Sequence, residues 1–119
     1  MTISELLSET DAPQRVAVLA DTVDDGQHVV ESTFGGLITA KSHRGIHGFY
    51  RLGDHRVIVV TPRSRYRTRG FQFTAVLIDS WSAYTAALPT LGPSLVGVAR
   101  VRWFDRNGEL PDRPERRPA

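Results

Sequence analysis

The chain contains no cysteine. Disulfides, thiolate zinc sites and a cysteine nucleophile are therefore excluded, and the composition suits a reducing compartment. Lysine is nearly missing too: Lys41 is the one lysine among fifteen basic residues. An excess of arginine suits planar, bidentate recognition of oxyanions, and a GC-rich coding bias produces the same excess. No apolar run approaches the roughly 20 residues that cross a bilayer. Met1-Thr2-Ile3-Ser4-Glu5 lacks the basic start and apolar stretch of a signal peptide. The expectation is a cytoplasmic protein with no membrane partner. No glycine-rich phosphate loop lies at a strand-to-helix joint, and no internal repeat is visible. No cofactor is expected.

What is present suits one folded unit. At 119 residues, with 40% hydrophobic and 24% charged residues, the chain can bury a single core. Residues 1–110 read as one domain. Residues 111–119, rich in proline and charge, read as a disordered tail.

The formal charge of +2 hides a division along the chain. Residues 1–31 carry seven acids (Glu5, Glu9, Asp11, Asp21, Asp24, Asp25, Glu31) against Arg15, a net of −6. Residues 41–70 carry Lys41 and seven arginines (44, 51, 56, 63, 65, 67, 69) against Asp54, a net of +7. Such asymmetry marks a surface for a polyanion, or two regions that face each other and cancel.

Thr2-Ile3-Ser4-Glu5 is a capping box, followed by an apolar stripe of Ile3, Leu6 and Leu7. Val16, Leu19, Ala20 and Val23 fall at i, i+3, i+4 and i+7, which predicts a second helix ending at Gly26. Asp21, Asp24 and Asp25 would then crowd its C-terminus, where the helix dipole disfavours anions and calls for a cationic partner. Strands are expected at 27–33, 37–41, 49–52, 55–61, 71–78 and 95–104. Gly53-Asp54 should form a type II′ hairpin turn. Ser80 should cap a short helix with Trp81, Tyr84 and Leu88 on one face, stopped by Pro89, Gly92 and Pro93. Asn107-Gly108 marks a later turn. This order predicts an α+β domain: two N-terminal helices on an antiparallel sheet of about five strands, with one short helix before the last strand.

The strongest candidate site is Pro62-Arg63-Ser64-Arg65-Tyr66-Arg67-Thr68-Arg69-Gly70. Extended, it lines up Arg63, Arg65, Arg67 and Arg69 about 6.6 Å apart on one face. Four like charges are not buried without partners, so the segment should be an exposed hairpin arm. Guanidinium groups fork phosphates, and Tyr66 offers a stacking plane for an unpaired base. Arg44 and Arg56 add to this basic region. His43, His47 and His55 form a second set. Gly45 and Gly48 argue against a helix there, so the metalloprotease spacing is not available, and an acid–base pair is the remaining chemistry. No catalytic or metal-ligating set is assigned. Trp81, Tyr84, Trp103 and Phe104 are core or docking residues. Trp103 and Phe104 point to opposite faces of their strand, which leaves one of them exposed or covered by a partner.

Arg51-Leu52-Gly53-Asp54-His55-Arg56-Val57-Ile58-Val59 is similar to the Arg-x-Gly-Asp-x-Arg-Val hairpin of RelE-like toxins, small basic ribonucleases with helices before an antiparallel sheet. The resemblance implies Arg51 and Arg56 in a catalytic sheet, with Tyr66 and His55 as acid–base candidates. It covers about ten residues, and the strand with which the family opens is not seen.

Three functions follow as expectations. The first is a small non-catalytic protein that binds nucleic acid or another polyanion through Arg44, Arg56, Arg63, Arg65, Tyr66, Arg67 and Arg69. The second is an assembly or adaptor protein of phage or plasmid type, meeting an acidic protein or its own copies through complementary surfaces. The third is the RelE-like ribonuclease.

Overall fold

The computed structural model describes residues 1–41, 48–64, 72–94, 101–111 and 114. Three helices flank one mixed sheet: α1 (Ile3–Glu9), β1 (Arg15–Leu19), α2 (Val23–Phe34), β2 (Ala40–Lys41), β3 (Phe49–Leu52), β4 (His55–Val60), β5 (Ala75–Ile78), α3 (Trp81–Ser94), β6 (Arg102–Asp105) and β7 (Gly108–Leu110). The seven strands lie in the order β2-β3-β4-β1-β5-β6-β7. β1 pairs in parallel with both β4 and β5, and β5 in parallel with β6. Antiparallel pairs close each side, β2–β3–β4 on one and β6–β7 on the other.

Helices combined with one sheet are as expected, but the antiparallel sheet of about five strands is corrected to seven strands with a parallel centre. The correction starts at residues 15–20. Val16, Ala17, Val18, Leu19 and Ala20 are all fully buried, because β1 is the middle strand with side chains packed on both faces. A strand buried on two sides has no polar alternation, so its continuous apolar run matched a helical spacing by coincidence. The next segment exchanges roles with it. Residues 27–33, expected as a strand, lie in α2, whose Val30 and Phe34 face the sheet.

This shift reverses the electrostatics of the acids. Thr22 caps α2 by accepting from the Asp25 amide at 3.1 Å, and Asp24 and Asp25 occupy the first turn. There the dipole favours negative charge, so no cationic partner is called for.

Gly26 sits where α2 crosses β4. A β-carbon on it would lie 2.2 Å from Val59 Cγ1, so this backbone approaches the sheet as only glycine allows.

The two faces carry separate cores. α1 and α2 cover Val16, Val18, Val57, Val59, Leu77 and Phe104. α3 covers Ala17, Leu19, Ile58, Val76, Ile78 and Trp103, with Tyr84 edge-on to both Trp81 and Trp103. Trp103 and Phe104 do point to opposite faces, yet both are buried, because each face has its own helical layer. Ser80 caps α3 through the Ala83 amide at 3.2 Å. The helix runs through Pro89 to Ser94 instead of stopping there. Pro89 has no N–H for the Thr85 carbonyl, so one ladder bond is lost there, and separately the Thr90 hydroxyl donates to the Ala87 carbonyl at 3.1 Å.

Two local expectations are met. Thr2 Oγ1 accepts from the Glu5 amide, and Ile3, Leu6 and Leu7 are buried. Gly53 has φ +62 and among the described residues, Asp54 included, no non-glycine residue has positive φ, as a type II′ turn between β3 and β4 requires. Most of the tail lies outside the described residues. At Pro114 the carbonyl accepts from Tyr84 Oη at 2.7 Å. Among the described residues no helix is long and apolar enough to cross a membrane.

Candidate nucleic-acid interface

Strand register builds the basic site. Arg15 is the Cα partner of Arg56 on β4, and Arg56 is the partner of Arg51 on β3. Residues opposite one another in adjacent strands point to the same face. Arg56 alternates with Ile58 and Val60, and Arg15 with Ala17 and Leu19, so the row lies on the α3 face. It stands at the end of the sheet where β1 and β4 begin. All three residues are exposed, and among the described residues none forms an ion pair.

Adjacent strands are about 4.8 Å apart, so the row spans about 10 Å. Like charges placed opposite one another cost stability, and here three of them share one line. The cost is offset when an anion lies across them, since each guanidinium presents a fork of N–H donors. Sequence reading found Arg56 and Arg51 but assigned no role to Arg15, which lies 41 residues from its partner. Only the parallel pairing of β1 with β4 brings them together.

The other sequence candidates fall elsewhere. Arg63 is exposed in the turn just past the far end of β4, an end that lies four strand residues or about 13 Å beyond Arg56. Arg44, Arg65, Tyr66, Arg67 and Arg69 lie outside the described residues, as do His43 and His47. The strands on either side of the arginine segment, β4 and β5, run in the same direction with β1 between them. The chain leaves at Ser64, beyond the end of β4, and Thr74 already bonds to Arg15 at the opposite end of the sheet.

His55 serves as a tie. Its Nδ1 accepts from the Gln14 amide at 2.9 Å, so Nε2 carries the proton and donates to the Leu7 carbonyl at 3.0 Å. Both ring nitrogens are engaged by backbone, which joins α1, the start of β1 and the start of β4.

A second polar region lies where β1, β5 and β6 end. α2 follows β1 on one face and α3 follows β5 on the other, an arrangement whose crevice holds ligands in doubly wound sheets. Here Asp21 Oδ1 accepts from Ser80 Oγ at 2.5 Å and from Ser82 Oγ at 3.0 Å, which draws its carboxylate onto the first turn of α3. Asp79, with only 7% of its side chain exposed, accepts from Arg106 Nε at 2.6 Å. A cleft of about 470 Å³ adjoins this pair, with His28, Ser32 and Asp105 also on its walls. Among the described residues no group of three or more histidines or carboxylates could hold a metal ion.

No family model, curated protein or solved structure matches the chain. The reading of function therefore rests on the geometry above.

Proposed function

We propose that this protein is a non-catalytic binding module for a polyanion, with nucleic acid as the class of ligand. The observation that carries the reading is the row Arg15–Arg56–Arg51: three exposed guanidinium groups in register, with no carboxylate partner among the described residues. Phosphodiester oxygens spaced along a strand are the natural complement of such a row. Composition supports the same reading, since residues 41–70 carry a net charge of +7. Arg44, Arg65, Tyr66, Arg67 and Arg69 belong to the proposal by sequence alone, and Arg63 would be a separate contact at the far end of β4.

The test is fluorescence anisotropy of a labelled 12-nucleotide single strand and a labelled duplex at low salt, with the wild type and with the Arg15→Ala, Arg51→Ala, Arg56→Ala triple variant. All three side chains are exposed, so the variant should fold, which circular dichroism checks. The expected result is binding by the wild type and at least a tenfold loss in the variant. Equal affinity of the two proteins would remove the row from the interface. Absence of binding to either ligand at low salt would overturn the reading.

A further inference from the structure

A slot of about 380 Å³ lies on the reverse side of the arginine row. The β3–β4 hairpin separates the two features. Arg51 and Arg56 project to the α3 face, and their chain neighbours Leu52 and His55 line the slot on the opposite face. Leu7, Leu37 and Leu52 give it apolar walls, while Asp11 and Asp54 supply carboxylates. Its volume falls at the lower end of the range for small-ligand clefts. The ring nitrogens of His55 are taken by Gln14 and Leu7, so His55 shapes the slot without offering it a free donor or acceptor.

The slot and the row share the tip of the β3–β4 hairpin on opposite faces, so a strand held on the row reaches this small, partly apolar cavity with anionic acceptors by turning round Gly53-Asp54. Ionised carboxylates only accept hydrogen bonds. They attract a base whose edge carries an amino group and repel one that presents a carbonyl oxygen at that position. Leu37 is the half-buried leucine that can meet the face of an unpaired base, while Leu7 and Leu52 are buried beneath it.

We propose that this slot takes an unpaired, amino-bearing base, cytosine being the simplest, from a single strand whose phosphates lie on Arg15, Arg56 and Arg51. The inference rests on the polyanion reading and gives it a ligand class, single-stranded nucleic acid, and a base preference.

Oligo(dC) and oligo(dU) of equal length test it at pH 7.5, because their bases have the same ring size and differ at the amino-versus-carbonyl position. Inorganic polyphosphate serves as a baseless polyanion. Wild-type protein should prefer oligo(dC) over oligo(dU) by about tenfold, the worth of one hydrogen bond to a charged group. The Asp11→Asn, Asp54→Asn double variant should lose the preference, since an amide can donate as well as accept. It should also bind both oligonucleotides at least as tightly as the wild type does, having lost two negative charges. Equal binding of oligo(dC) and oligo(dU) by the wild type would overturn the inference and leave the polyanion reading intact, as would polyphosphate binding as tightly as oligo(dC). A preference that survives in the double variant would also overturn it. Failure of every ligand to bind would remove both proposals together.

Discussion

Replacing Gly26 by alanine opposes two effects of known sign. In an exposed helix interior the change stabilises by about 1 kcal/mol, through lower backbone entropy in the unfolded chain. At Gly26 the new β-carbon would meet Val59 Cγ1 at 2.2 Å, Cγ2 at 3.0 Å and Cβ at 3.1 Å. Ordinary carbon contacts lie at about 3.5–4.0 Å, so α2 would have to lift from β4 by about 1 Å. Turning Val59 about χ1 does not clear the overlap, because its Cβ is itself too close. Overpacking of this kind costs about 1–3 kcal/mol, and the loosened α2 layer adds to it. The expected net effect is a loss of about 1–2 kcal/mol. For a chain of this length that lowers Tm by about 4–8 °C. Thermal melts and urea titrations followed by circular dichroism measure both quantities. Gly26→Ala combined with Val59→Ala should cost less than the two single changes summed, with a coupling of about 1–2 kcal/mol. A higher Tm for Gly26→Ala, or strict additivity, would refute a helix at 23–34 packed on β4.

Three further outcomes follow from the same structure. His55→Ala leaves the Gln14 amide and the Leu7 carbonyl without their partner, which should cost about 2–3 kcal/mol in urea denaturation; an unchanged midpoint would show that the ring is not a tie. Alkaline stability should fall as pH rises past about 10. Burial, and then the charge of Glu31, hold the Tyr50 phenol above its ordinary value. The unfolded state therefore releases its proton first, and stability is lost with rising pH. Lys41 acts in the same direction, since its hydrogen bond to Glu31 raises its pKa and the pair is lost as that folded value is passed. Tyr50→Phe should make the decline above about pH 10 shallower, and an identical slope would contradict this. Finally, Tyr84→Phe removes the donor to Pro114, so protease should release the tail faster with the domain intact; an unchanged cleavage rate would show that this bond does not hold the tail.

Much of the outline was legible in the sequence wherever local chemistry decides the structure. The Thr2 cap, the Gly53-Asp54 turn and the Ser80 cap each depend on a few adjacent residues, and each is present. The failures lie where tertiary context decides. Residues 16–20 are buried on both faces, so their pattern carries no period and a helical spacing fitted by accident. Misplacing that strand displaced the following helix and put Asp24 and Asp25 at the wrong end of a dipole. Pro89 breaks helices in isolation, but α3 is held by packing of Ala83, Tyr84 and Ala87 on the sheet. The candidate site divides in the same way. Arg56 stood out by composition, while Arg15 joins it only through strand register, which a sequence read locally does not contain.

The central claim is that Arg15, Arg51 and Arg56 together hold a phosphate backbone, and the salt dependence of binding tests it most directly. Each phosphate contact on a single strand contributes about 0.7 to the slope of log K against log salt concentration. Removing three contacts should therefore make the triple alanine variant's slope shallower by about 2. Raising salt fourfold should accordingly weaken the wild type about 20-fold more than the variant. Parallel lines for the two proteins would contradict the account, whatever their absolute affinities.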